Sequence, residues 1–152
     1  MIRTKGRLRL CVTLLVLNLM FIWGNSLMPG EISGAFSQWV KDLFSALFPG
    51  GSGGQEGHGL LRKLAHFTEF SCLGMCLCWL NAMLRRATWH SFIYGFLAAC
   101  VDETIQRFVP DRGPSFRDVM IDTAGVCVGI ILLLIGYAIL KKQTKNLEEN
   151  IR

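Results

Sequence analysis

The chain has 152 residues, 51% of them hydrophobic, and carries a formal net charge of +5. Its positive mean hydropathy, with the apolar residues gathered in blocks, points to a membrane protein rather than a soluble core. The basic residues flank those blocks and form no stripe with exposed aromatics, so they read as topology signals and nucleic acid is excluded as a partner.

Arg3, Lys5, Arg7 and Arg9 open the chain without an acid among them, and an apolar run comes next over residues 8–28. A helix of roughly 20 residues spans the hydrocarbon of a bilayer. A basic start, an apolar run and small residues near Gly24 and Ser26 also fit a signal peptide. The length of the run and its poor small-x-small site favour an uncleaved helix. Either reading puts the segment after residue 28 outside the cytoplasm. Pro29-Gly30 ends the run. Over residues 35–48, Phe36, Trp39, Val40, Leu43, Phe44 and Leu47 recur at helical spacing, predicting an amphipathic helix in the membrane interface or covering the bundle. Residues 49–59, PGGSGGQEGHG, read as a flexible glycine-rich linker with no phosphate-cradling motif.

A second span is predicted over residues 64–84. Near its start stand Lys63, His66 and Glu69, spread over about 120° of a helix. Arg85-Arg86 closes it. A third span covers 88–109, with Asp102, Glu103 and Gln106 near its C-terminal end, and Pro110 stops it. The segment PDRGPS is a turn by composition. The fourth span covers 118–140, where Asp118, Asp122, Gly125 and Gly129 fall within about 60° of one another. That face begins acidic and becomes glycine, and a Gly-x-x-x-Gly pair permits close approach of another helix. The six cysteines, Cys11, Cys72, Cys76, Cys78, Cys100 and Cys127, all lie in apolar runs with no CxxC, so packing is their expected role.

Ten of the sixteen basic residues lie in the N-terminal segment, at Arg85-Arg86 and in the C-terminal tail. The positive-inside rule then places both termini in the cytoplasm. The fold class expected is all-α: a single membrane domain over 1–152, a bundle of four transmembrane helices with an amphipathic helix in the first external loop. Three distant segments put their polar residues at one outer depth. Ionisable residues inside a bilayer are costly, which makes this convergence a functional-site hypothesis.

At these residues the sequence resembles the VanZ-like membrane family. The motifs that carry the resemblance are Lys63-x-x-His66-Phe67-x-Glu69-Phe70, Asp102-Glu103-x-x-Gln106-x-Phe108, Arg112, and Asp118-x-x-x-Asp122-x-x-Gly125-x-x-x-Gly129, within residues 8–140. Phe70 stands where tyrosine is frequent in that family and Asp122 where asparagine is frequent. The resemblance implies a small polytopic bacterial membrane protein, and a link to low-level resistance to the lipoglycopeptide teicoplanin; it names no reaction.

Three readings of the cluster stay open. In the first, the site is enzymatic and acts on a lipid-linked or cell-envelope molecule with a phosphate-bearing headgroup. Lys63 and Arg112 would hold phosphate, His66 and Glu69 would serve as the acid/base pair, and Asp102, Glu103, Asp118 and Asp122 would hold Mg²⁺ or Ca²⁺. Asp102 and Glu103 join His66 and Glu69 as candidate catalytic residues, and Gln106, Ser115, Asp118 and Asp122 complete the candidate substrate contacts; Ser115 lacks a nucleophile elbow. In the second, the same residues bind a membrane lipid or lipoglycopeptide without chemistry. In the third, the charges form a structural ion-pair network, although five acids against Lys63, Arg112 and Arg117 balance poorly. A transporter has little room in four spans without a repeat, unless a homo-oligomer forms through Gly125 and Gly129.

Overall fold

The computed structural model describes residues 2–30, 32, 35, 38–39, 57–110, 112–113 and 115–151. Among the described residues the long helices are, in chain order, α1 (Ile2–Ser26), α2 (Gly57–Met83), α3 (Trp89–Gln106) and α4 (Phe116–Ile151). Among the described residues there is no strand. The amphipathic helix expected over 35–48 lies outside the described residues except at Ala35, Gln38 and Trp39, which are helical. So does the linker over residues 49–56.

α1, α2 and α4 begin before the apolar runs that predicted them, and α4 also ends beyond its run. α1 takes in the basic N-terminus, since Arg, Lys and Leu are good helix formers. It stops at Ser26 because Pro29 disfavours helical backbone at Met28. α2 begins at Gly57 rather than 64, so Gly57–Gly59 are helical and not linker. A first turn has no intrahelical partners for its N–H groups, which makes glycine less costly there than in a helix interior. α3 ends at Gln106 rather than 109: Phe108 and Val109 donate to Ile105 and Gln106, the tighter i→i−3 pattern of a closing turn. α4 starts at Phe116 because Ser115 caps it, its Oγ accepting from the Arg117 N–H at 3.2 Å. Its C-terminal end continues through the charged tail, where Lys145 and Glu149 pair at 3.6 Å across one turn.

The α2–α3 connection is short. Arg86 N–H donates to Asn81 C=O at 2.8 Å and Arg85 N–H to Ala82 C=O at 3.2 Å, with Arg85 left-handed at φ 55°. This is a Schellman ending in which arginine occupies the position usually given to glycine. α2 is the central element and touches all three others, α4 most extensively. Three glycines set that closeness. A Cβ on Gly129 would strike the Ser71 carbonyl, one on Gly125 the Phe67 carbonyl, and one on Gly74 the Val126 carbonyl. Gly125 and Gly129 are therefore spent on α2 within the chain, the close approach of another helix that their spacing predicted.

The core contains Ile22, Phe70, Leu73, Leu77, Ala99, Val126 and Ile130. Polar groups are buried with them, including Ser26, Asp102, Gln106, Arg112 and Asp122. The outside is apolar: Leu17, Met20 and Phe21 of α1, Phe92, Ile93 and Leu97 of α3, and Ile131, Leu132 and Ile135 of α4 are exposed. Polar inside and apolar outside reverses the soluble pattern and suits hydrocarbon surroundings. Among the described residues two helices are long and apolar enough to cross a membrane by length and composition: α1 over Lys5–Ser26 and α4 over Phe116–Glu149.

Candidate functional site

The polar residues meet at one end of the bundle, where α1, α2 and α3 and the start of α4 converge. Asp102 is the centre and is fully buried. Its Oδ1 accepts from Ser26 Oγ at 2.7 Å and its Oδ2 from Gln106 Nε2 at 2.8 Å. Gln106 Nε2 also reaches Ser26 Oγ at 3.2 Å, closing a three-residue ring between α1 and α3. Gln106 stands one turn after Asp102, which lets both point inward from the same helix face. His66 Nδ1 approaches Asp102 Oδ2 from α2 at 3.8 Å, too far for a hydrogen bond. That nitrogen is buried without a hydrogen-bond partner.

Glu69 turns the other way. Its Oε1 accepts from Asn25 Nδ2 at 2.9 Å, and Asn18 Nδ2 reaches its backbone carbonyl at 3.4 Å. The i, i+3 spacing suggested a His66–Glu69 pair, but no hydrogen bond joins the two; the carboxylate beside His66 is Asp102. Glu103 accepts the Ser115 N–H on Oε2 at 2.9 Å, tying α3 to the start of α4. Ser115 thus acts through its backbone and as a helix cap.

Arg112, in the turn before α4, reaches back to α1. Its Nε donates to Met28 C=O at 3.2 Å and its Nη2 to Asn25 C=O at 2.9 Å. The Asn25 carbonyl, at the helix end, also accepts the Met28 N–H at 3.2 Å, so Arg112 takes its second lone pair. Nη1 is buried without a partner. The guanidinium therefore has one nitrogen free for a ligand, not a two-pronged grip. Burial pushes the Arg112 pKa below its ordinary value and Arg62 adds to this; Asp102, Glu103 and Glu69 act in the opposite sense.

A narrow cleft, with about 10 Å³ of space accessible to water, leads in from Arg62, Lys63 and Asp118 to His66, Glu103, Gln106, Ile121 and Asp122. Lys63 Nζ lies 3.9 Å from Asp118 Oδ1, a half-exposed pair at the mouth. Asp122 is 2% exposed. Among the described residues nothing hydrogen-bonds to it or pairs with it. The four carboxylates expected to share a cation do not converge, because Glu103 is held by Ser115 and Asp118 faces Lys63. Among the described residues the group whose donor atoms approach one another, within 4.8 Å, is His66, Asp102 and Asp122.

A family model described as VanZ/LLP1 matches residues 10–139, which include every residue of this site. The chain belongs to the VanZ/LLP1 family. With its two long apolar helices, this makes it a membrane protein of the VanZ-like kind. No curated protein and no solved structure matches it. Sequence reasoning missed Asn18, Asn25 and Ser26, the VanZ-like chain's contribution from α1, and Arg62 at the cleft mouth. The signal for the first three was polar residues in an apolar run, with Asn18 and Asn25 two helical turns apart on one face.

Proposed function

We propose that the protein crosses the membrane four times with both termini in the cytoplasm, and that its cleft faces outward to bind the phosphate-bearing headgroup of a lipid-linked or cell-envelope molecule. The observation that carries this is the cleft itself: a polar interior in an inside-out bundle, with Arg62 and Lys63 at its mouth and an unpartnered Arg112 nitrogen nearby. Cations at the mouth suit a phosphate anchored in the surrounding bilayer. Gln106, Asp118 and Ser115 would line or shape the seat. Through the family, the consequence proposed for the cell is a change in susceptibility to teicoplanin.

Binding without chemistry is the reading supported best. An enzymatic reading has one observation in its favour: His66 stands next to the buried Asp102 carboxylate, which would orient the ring for proton transfer. Glu69, engaged with Asn25, would then support α1 rather than act as the acid or base.

The headgroup test uses protein purified in detergent, with phosphatidic acid set against diacylglycerol. Phosphatidic acid is expected to be retained preferentially. Lys63→Ala is expected to weaken retention by about tenfold, the loss of one charge-assisted contact. Equal retention of the two lipids, or an unchanged affinity in both Lys63→Ala and Arg62→Ala, would remove the phosphate reading. In cells carrying the protein, the Lys63→Ala variant is expected to lose whatever shift in teicoplanin susceptibility the wild type gives.

The topology is tested separately in a cysteine-free background. A cysteine at position 52 (Ser52→Cys) is expected to react with an impermeant maleimide in intact cells, and Thr88→Cys only after lysis. The reverse pattern would turn the cleft to the cytoplasm.

A further inference from the structure

His66, Asp102 and Asp122 come from three different helices and place one nitrogen and two oxygen donors within 4.8 Å of one another. We propose that they form a site for one divalent first-row transition ion. This goes beyond the headgroup reading and does not depend on it.

The first support is the state of the donors. Asp122 is 2% exposed, lines the cleft, and has no hydrogen bond or ion pair among the described residues. A buried carboxylate left without a partner is costly, and such groups are ordinarily paired or bound to a metal. His66 Nδ1, also buried, has no hydrogen-bond partner. An orphaned nitrogen from α2 and an unpaired carboxylate from α4, at the inner end of the cleft, thus approach each other.

The second support is spacing. His66 Nδ1 and Asp102 Oδ2 are 3.8 Å apart, beyond hydrogen-bond reach. Donors bound to a common zinc ion at about 2.0–2.2 Å each stand roughly 3–4 Å from one another. The pair is therefore too far apart to bond directly and about right to share an ion. The donor type selects the ion: imidazole nitrogen with carboxylate oxygen suits Zn²⁺, Mn²⁺ or Fe²⁺ better than the all-oxygen shell of Ca²⁺ or Mg²⁺.

The third support is what holds Asp102. Ser26 and Gln106 hydrogen-bond its two oxygens. Ligating carboxylates are typically fixed in this way by neighbours that are not ligands themselves. Ser26 and Gln106 are positioning residues in this arrangement. Three protein ligands also leave a coordination position open, as in sites that take water or a substrate oxygen.

The experiment strips the detergent-purified full chain with a chelator and reloads it with Mn²⁺, with Zn²⁺ as competitor. One ion per chain is expected, displaced by Zn²⁺, with a ¹⁴N coupling to the ion in pulsed electron paramagnetic resonance. Asp122→Asn and His66→Gln are each expected to weaken Mn²⁺ by at least about 100-fold, exceeding the 10–100-fold typical of residues that only support a ligand. His66→Gln should also abolish the nitrogen coupling. His90→Gln, about 18 Å along α3 from Asp102, should change neither. Circular dichroism establishes that the variants are folded; should they not be, wild-type stoichiometry together with the nitrogen coupling decides. The proposal is overturned if the wild type holds no stoichiometric Mn²⁺ or Zn²⁺, if the bound ion shows no nitrogen coupling, or if both folded variants bind as the wild type does. Phosphatidic acid retained by a protein that holds no metal would sink this site and leave the headgroup site standing; the opposite pair of results would do the reverse.

Discussion

Gly129→Ala is expected to lower the stability of the bundle by about 2–3 kcal/mol, whereas Gly136→Ala, in the same helix, is expected to leave it unchanged or raise it slightly. Both substitutions gain the same helix propensity, up to about 1 kcal/mol for alanine over glycine. Their surroundings differ. A Cβ on Gly136 meets nothing within 4 Å, while one on Gly129 would strike the Ser71 carbonyl and lie 3.0 Å from the Met75 nitrogen. Those atoms are backbone, so no rotamer change relieves the clash and α2 must move away from α4. The difference between the two variants isolates the cost of that separation. Gly125→Ala should behave like Gly129→Ala, since its Cβ meets the Phe67 carbonyl. Phe67 adjoins His66, so the same movement should draw His66 away from Asp122 and impair the site as well as the fold. Unfolding by sodium dodecyl sulfate from mild detergent, monitored by circular dichroism, reads the stability change. Equal stability of Gly129→Ala and Gly136→Ala would show that the close approach of α2 and α4 does not hold the bundle together.

The contrast between these glycines shows where sequence reading succeeds and where it stops. The spacing of Asp118, Asp122, Gly125 and Gly129 marked one face as acidic and then small, and that face does turn inward. Spacing alone does not name the helix on the other side, because Gly74 and the carbonyls of Phe67 and Ser71 carry no recognisable pattern. The convergence of His66, Asp102, Gln106, Arg112 and Asp122 was legible because charge in an apolar run is expensive and conspicuous. Asn18, Asn25 and Ser26 were not, since uncharged amides and hydroxyls interrupt an apolar run without standing out, and the last two resemble the end of a signal peptide. The role of Arg112 was hidden for another reason: its targets, Asn25 and Met28, accept through backbone carbonyls, which any residue supplies. Pairing within the site also escaped the sequence. His66 and Glu69 are neighbours by helical spacing, but packing put Asp102 beside the one and Asn25 beside the other.

α1 therefore has two duties. Its outward residues meet lipid, and its last two turns supply the partners that orient Glu69, Asp102 and Arg112. A cleaved signal peptide would remove Asn25 and Ser26 or leave them on a loose end, and Asp102 would lose its shortest hydrogen bond. The polar ring and the Arg112 contacts thus require α1 in place.

Asp102→Ala tests this arrangement with the largest expected effect at the site. The substitution removes the acceptor for Ser26 and Gln106 at once and leaves His66 without its nearest carboxylate. Each buried donor left without a partner costs about 1–3 kcal/mol in general, although hydrogen bonds between membrane helices average nearer 0.6 kcal/mol because the separated helices find other partners. A total loss of about 2–3 kcal/mol is expected, together with loss of the site's binding. Asp102→Asn should cost only about 1 kcal/mol, because Gln106 can flip its amide and the Ser26 hydroxyl can rotate to meet the new donor. A double-mutant cycle with Ser26→Ala isolates the helix-to-helix term. The Ser26–Asp102 coupling is expected near 1 kcal/mol, above the membrane average, because the bond is short, buried and accepted by a carboxylate. Stability from detergent unfolding supplies the energies, and phosphatidic acid retention supplies the functional reading. If Asp102→Ala unfolds like the wild type and Ser26 and Asp102 prove additive, the polar ring does not join α1 to α3, and Asp102 must be kept for chemistry alone. If stability falls as expected but the milder Asp102→Asn also abolishes binding, the carboxylate does both: it fastens the first helix to the bundle and, through His66 beside it, sets up the site that binds.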